Sequence, residues 1–348
     1  MNQPADLPPI IRDEAHLQDL LSVPTPAAIS AVSQRDGDFI VLGAGGKMGP
    51  SLSRMIRRAL DELGRRTRVI AVSRFASPAS QVAFTDHGIE TLRADLLDQQ
   101  QLDALPDVPN VIYMAGMKFG STGQEALTWA MNAFLPGMIC QKYRHSRVVA
   151  FSTGNIYGLS PVARGGSIES DPLNPAGDYA MSCVGRERIF EHFSRTLGVP
   201  LSLIRLNYAV EMRYGVLNDL ATRVLRGEAI DLAMGHANVI WQGDANAMAI
   251  ASFSQAATPP FVVNVAGPEL LSVRSVATRF GELLSESPVF TGEESTTALL
   301  SNGQLAHRLY GPPRVPLERL IQWTADWVKR GGASLGKPTH FESRDGKF

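Results

Sequence analysis

The stretch "FIVLGAGGKMGP", residues 39–50, decides the fold. A short apolar run ends in three spaced glycines, Gly43, Gly46 and Gly49, and an amphipathic stretch at 48–63 follows. A strand that turns tightly into a helix N-terminus brings free backbone N–H groups and the helix dipole to one point, which suits a pyrophosphate. Glycines also punctuate ordinary turns, so the reading depends on what surrounds the loop. Apolar runs recur at "RVIAVS" (68–73), "TLRADL" (91–96), "NVIYMAG" (110–116), "RVVAFS" (147–152) and "LSLIRL" (201–206). Between most of them lie amphipathic stretches of helical length, notably 48–63, 124–145 and 179–197. Strands alternating with helices predict right-handed crossovers and a parallel sheet covered on both faces. The expected fold class is α/β: a doubly wound, Rossmann-type parallel sheet with a smaller, mostly helical substrate-binding region at the C-terminal side.

Four segments are expected. Residues 1–36 are proline-rich and weakly periodic, an extension packed on or trailing from the main domain. Residues 37–206 form the dinucleotide-binding domain. In 207–330 the alternation fades into helical segments at 217–226, 244–256, 273–284 and 317–329, with the run "FVVNVAG" among them. This is the expected substrate-binding region over the carboxyl edge of the sheet. The polar, glycine-containing tail 331–348 is expected to be mobile.

Charge and composition narrow the partners. With 33 basic and 34 acidic residues and a formal net charge of -1, no basic stripe for nucleic acid and no polybasic membrane anchor is expected. No apolar run approaches a bilayer's thickness, and "MNQPADLPPIIRDEAHL" has no hydrophobic secretory core, so the expected setting is cytoplasmic. The two cysteines, Cys140 and Cys183, fall in predicted helices outside any CxxC or Cys/His cluster; free thiols are expected, with no disulfide and no metal site.

The second strand sets the cofactor. An acid at its end would hydrogen-bond an NAD ribose, whereas an arginine can pair with the 2'-phosphate of NADP. The chain reads "AVSRF", with Ser73 and Arg74 and no acid, which favours NADP while leaving NAD open. Arg74 is also an ordinary surface residue type. Asp95, ending the third run before Leu96, is either an adenine-side contact or a helix N-cap, and both can hold.

These elements form part of a longer spaced set: the three glycines; Asp95 and Leu96; "MAG", formed by Met114, Ala115 and Gly116; "STGNIYG" at 152–158; and "IESDPLNPAGDYAMS" at 168–182. Over about 38–329 the set resembles the extended short-chain dehydrogenases/reductases, also called the NAD-dependent epimerase/dehydratase family. The resemblance implies that Thr153 is the hydroxyl that binds the reacting oxygen and Tyr179 the general acid/base. A strand-end hydroxyl bonded to backbone and a core aromatic are the plainer readings of the same residues. Lys47 and Met48 join the cofactor loop. Asn132 matches a position where the family often has asparagine, or is a buried polar residue satisfied by a neighbouring turn. Dimerisation through the helices containing Gln124 and Tyr179 is also implied.

One position departs from the family. Four residues after Tyr179, on the same helix face, the family has a lysine that holds the nicotinamide ribose and lowers the tyrosine's pKa; this chain has Cys183. Two unit charges about 4 Å apart at an effective dielectric near 20 interact by about 4 kcal/mol, roughly three pKa units. Lys118, Lys47 and Arg186 are the candidate substitutes, with Lys118 preferred, and each is also a plausible phosphate contact or solvated charge. Cys183 reads as a nucleophile or, more simply, as a small residue making room. Arg205, Asn207, Tyr208, Arg213 and Trp241 are the substrate-side candidates.

The function expected from this set is an NAD(P)-dependent epimerase, dehydratase or reductase acting on a small hydroxylated, sugar-like substrate. A dinucleotide-binding sensor or scaffold without redox turnover is the alternative, and a lyase or isomerase using Tyr179 alone lies between them.

Overall fold

The structure, a computed structural model, describes residues 7–118, 123–337 and 339–346. Seven strands form one parallel sheet: β1 (Phe39–Leu42), β2 (Val69–Ser73), β3 (Glu90–Arg93), β4 (Asn110–Tyr113), β5 (Arg147–Thr153), β6 (Leu201–Leu206) and β7 (Phe261–Val265). Their spatial order is β3-β2-β1-β4-β5-β6-β7, so the winding reverses between β1 and β4. There Leu42 pairs with Val72 on one side and Tyr113 on the other. A ligand cleft opens at such a switch point, beyond the carboxyl ends of the strands.

The strands read as unbroken apolar runs because both faces are covered. Phe39 and Val41 face one core with Ile112, Val149, Ile204 and Val263, while Ile40 and Leu42 face the other with Val111, Tyr113 and Leu203. Helices α1 (Glu14–Leu21), α2 (Pro26–Ser33) and α3 (Gly49–Glu62) precede and follow β1. The connections onward are α4 (Ala79–Thr85), α5 (Gln99–Asp103), α6 (Glu125–Trp129), α7 (Leu135–Lys142) and α8 (Gly177–Leu197). A π-helical turn, Ala130–Phe134, joins α6 to α7. In α8 the inward face is Ala180, Cys183, Arg186, Glu187 and Phe190, and Gly198 ends the helix in the left-handed conformation at φ 73°. The remaining helices are α9 (Val216–Leu225), α10 (Gln242–Ala251), α11 (Val273–Leu284), α12 (Gln304–Tyr310) and α13 (Leu317–Lys329). Of these, α9, α11 and α13 share a separate core over the carboxyl edge. Among the described residues no helix is long and apolar enough to cross a membrane.

Three expectations change. The run "FVVNVAG" is not part of the cap but the seventh strand, in register with β6 from Phe261↔Ser202 to Val265↔Leu206. Helix α10 also returns to the sheet, and its alanine-rich surface is buried on all sides against α2 and α3. Spatially, then, the chain after Leu206 divides between sheet and cap. The described part of the tail is packed rather than mobile: Phe341 is 1 % exposed within the cap core, Glu342 pairs with Arg223 at 2.7 Å, and Arg344 donates to the Thr297 carbonyl at 2.9 Å. At the other end, α1 and α2 pack on the domain, Thr25 capping α2 and Asp13 capping α1. Residues 1–6 of the extension and 338 and 347–348 of the tail lie outside the described residues.

Candidate active site

The glycine loop is shaped by contact. Gly43 sits at φ +85°, and a Cβ there would meet the Ala115 backbone nitrogen at 2.6 Å; a Cβ on Gly49 would collide with the Ala44 carbonyl. Only glycine lets the turn lie against β4 and the first turn of α3 against the loop. Gly46 differs: nothing but the Gly43 carbonyl, at 3.5 Å, lies near its Cβ position. Its open face looks into a cleft of about 880 Å³ lined by Gly45, Lys47, Pro50, Gly116 and Lys118. The chain's own residues thus form a cradle that fits a dinucleotide pyrophosphate. A second pocket of about 570 Å³ lies beside it, lined by Gly45, Ser73, Arg74, Phe75 and Arg93. Met114 and Ala115 support the loop from β4, Ala115 at 5 % exposure. Asp95 accepts from the Leu97 N–H at 3.1 Å in the turn before α5, whose N-cap is Asp98 and not Asp95, and Leu96 is a core residue; neither lines a described pocket.

Beyond the loop, Met48, Lys47, Lys118, Thr153, Tyr179, Asn207 and Tyr208 converge on an inner pocket of about 180 Å³. Thr153, last in β5, accepts from the Asn155 N–H at 3.2 Å and donates to Asn155 Oδ1 at 3.1 Å. The same hydroxyl is hydrogen-bonded to Tyr179, which also contacts the Cys183 thiol. Lys118 Nζ lies 5.7 Å from the centre of the Tyr179 ring. Burial pushes the Tyr179 phenol well above its ordinary range and the neighbouring Cys183 adds to this, against a smaller opposing effect of Arg186. Burial likewise lowers Lys118 to about 8 and Lys47 to about 7.

Cys183 is fully buried behind Tyr179 with Ile156 and Tyr157, and burial raises its thiol. Its burial in the core supports the reading as a small residue over that as a nucleophile. Arg186 is buried too. Its Nη1 donates to the Phe151 carbonyl at 2.8 Å and its Nη2 to Asn132 Oδ1 at 2.6 Å. Asn132, in the π turn, also accepts from the Met117 N–H and donates to the Met117 carbonyl and Ser182 Oγ, all at 2.9 Å. Its amide is consumed by the protein, as in the reading of a buried polar residue satisfied by its neighbours, and it is not free to take a substrate group. What it does is clamp the backbone next to Lys118.

Two further candidates move away from substrate. Arg205 is paired with Glu187 at 2.7 Å and donates to Tyr157 at 2.7 Å; Glu187 in turn accepts from Ser152 at 2.6 Å. This buried network stiffens the end of β5. Trp241 packs on Trp323 with ring centres 5.7 Å apart, far inside the cap. Arg213 lines the outer cleft, held by Glu14 at 3.0 Å and Glu211 at 3.1 Å. Sequence reasoning missed Tyr214, 3.2 Å below Lys47 Nζ, and Thr339, which closes the inner pocket from the tail. The aromatic Phe341 in a mostly polar stretch of tail is the signal that could have pointed there.

Known proteins share this fold. Solved structures that superpose on the chain include MoeE5 in complex with UDP-glucuronic acid and NAD, 21% identical over 85% of this chain and 100% of that one, with a TM-score of 0.68. They also include dTDP-glucose 4,6-dehydratase from Bacillus anthracis in complex with NAD, 16% identical over 85% and 97%, TM-score 0.70. UDP-glucose 4-epimerase from Thermotoga maritima with UDP-glucose is 17% identical over 84% and 99%, TM-score 0.68. At such identities the likeness is one of fold. No curated protein matches the chain in sequence. Residues 39–244, however, match the NAD dependent epimerase/dehydratase family, a span that runs from β1 through the glycine loop, Thr153 and Tyr179 into α10. The chain therefore belongs to the NAD-dependent epimerase/dehydratase family.

Proposed function

We propose that this protein is an NADP-dependent enzyme of the epimerase/dehydratase type acting on a hydroxylated, sugar-like substrate. The observation that supports this most is the meeting of Thr153, Tyr179 and Lys118 in one pocket next to the glycine-loop cleft. A bound nicotinamide would exchange hydride with the substrate carbon. Thr153 orients the substrate oxygen, and Tyr179 moves its proton. Lys118, above the Tyr179 ring, supplies the charge that Cys183 lacks. With its ammonium lowered to about 8, the Lys118–Tyr179 pair gives up one proton near neutrality, which the buried tyrosine by itself would not. Following reduction or oxidation of the cofactor with hydroxylated sugars and their derivatives tests the reading; a chain that binds neither NADP nor NAD in calorimetry refutes it.

For the cofactor, MoeE5 and the Bacillus anthracis dehydratase are in complex with NAD, but here Arg74 and Arg93 line the pocket beside Gly45 and no carboxylate does among the described residues. Arg74→Asp is expected to weaken NADP binding by about 10- to 100-fold, the size of a lost charged hydrogen bond, and to spare NAD. Unchanged NADP affinity would remove the assignment. We also propose a homodimer. Leu127, Trp129, Phe134 and Met181 stand exposed on α6, the π turn and α8, with Phe134 at 63 %. Phe134→Asp is expected to turn a dimer into a monomer in sedimentation; a wild-type monomer decides against it.

A further inference from the structure

We infer that the substrate is a free hydroxylated acid of sugar size, a polyol carrying one carboxylate or phosphate, rather than a nucleotide sugar; the inference rests on the enzyme reading above. Three features of the inner pocket carry it. The first is size. At about 180 Å³ the pocket is smaller than the about 300–1,000 Å³ usual for drug-sized ligands, and a nucleotide sugar exceeds such ligands.

The second is its roof. On the cap side the pocket is walled by Tyr208, Tyr214, Val216 and Thr339. Thr339 is fixed in place, its N–H and hydroxyl both donating to Asp219 Oδ2, at 2.8 and 2.6 Å, and it is 2 % exposed. The chain after it is anchored by Phe341, Glu342 and Arg344, as described above. Arg213, the cap arginine that lines the outer cleft, is already bonded to Glu14 and Glu211.

The third is charge. Lys47 starts in the glycine loop, yet its ammonium reaches across to the cap, 3.5 Å from the Ala209 carbonyl and 3.2 Å from the centre of the Tyr214 ring. Lys118 enters the same pocket from the other side. Of the carboxylates whose field reaches Lys47, Glu211 is bonded to Arg213 and Asp219 to Thr339. A small anion would meet the Lys47 ammonium in the pocket that Lys118, Thr153 and Tyr179 also line. Burial has lowered Lys47 to about 7, and an incoming anion would restore its full charge. The anionic group binds at Lys47, and this places a hydroxyl of the same molecule at Thr153 and Tyr179.

The test uses the full chain saturated with cofactor and a panel of ligands: hexuronates, hexose phosphates, the neutral hexoses and UDP-glucose. Calorimetric binding and hydride transfer are both read. The expected result is binding and turnover of members of the acid or phosphate groups, with the neutral sugar of the same skeleton at least about tenfold weaker. Which anion wins identifies the source. Lys47→Gln is expected to weaken the acid by about 10- to 100-fold and to narrow its advantage over the neutral sugar of the same skeleton. Tighter binding and faster turnover of UDP-glucose would overturn the inference and leave the enzyme reading standing, as would equal affinity for acid and neutral sugar. A cofactor-loaded chain that responds to no member of the panel would overturn both.

Discussion

Tyr179→Phe is expected to lower turnover by about 10²- to 10⁴-fold, the usual contribution of a positioned proton-transfer group. The substitution removes one hydroxyl and keeps the ring against Ile156, Tyr157 and Val184. What folding loses is a hydrogen-bonded contact to Thr153 and one to Cys183. At about 0.5–1.5 kcal/mol per neutral hydrogen bond, the melting temperature should shift by only a few degrees. Activity and stability are thus expected to separate. A chain that loses several times that stability and still turns over would make Tyr179 a core aromatic and nothing more.

The other large effect concerns the cation. Lys118→Met is expected to remove most of the hydride transfer and also its pH dependence. The sign follows from the direction of the shift: burial lowers the Lys118 ammonium from 10.5 to about 8, so the protein releases this proton on passing through about pH 8 as pH rises. Substrate oxidation needs a site that accepts the hydroxyl proton, so its rate should climb through that range, and the reverse reduction should fall. Without Lys118 only the raised phenol of Tyr179 remains, and the limb disappears. Cys183→Lys gives the complementary measurement. It would place an ammonium in a fully buried position, with Arg186 and Lys118 both close enough to act on the thiol now there. Like charges about 4 Å apart repel by about 4 kcal/mol at an effective dielectric near 20. Stability and activity should therefore both fall. Faster hydride transfer at unchanged melting temperature would show instead that the pocket lacks a cation and that Lys118 does not replace it.

The pairing of Lys118 with Tyr179 was legible only as one of three choices, because the distance between a loop after β4 and a helix some sixty residues later is set by neither segment. It is set by Asn132 and Arg186. Asn132 holds the Met117 backbone through both its N–H and its carbonyl, and Arg186 holds Asn132, so α8 positions the Lys118 loop through two intervening side chains. Read one at a time, Asn132 looks like a substrate contact and Arg186 like a spare cation. Arg205 misleads in the same way: beside "LSLIRL" it looks like a pocket arginine, and only the packing of α8 on the sheet brings Glu187 within 2.7 Å.

By itself the sequence determined the parallel sheet through β6, the glycine loop, the helix that follows it and the two motifs that contain Thr153 and Tyr179. Each is encoded locally: unbroken apolar strands, a glycine where φ is +85°, and a helix whose inward face repeats every three to four residues. Tertiary structure alone decided the rest. The strand Phe261–Val265 is a short apolar run that could have packed anywhere until β6 offered an edge to pair with. The tail is polar along nearly its whole length, and it is ordered over the described residues because Phe341 finds the cap core and Thr339 finds Asp219. The inner pocket, with its size, its roof and its two lysines, exists only where those distant segments meet, since burial and charge pairing belong to the folded arrangement and to no single stretch of chain.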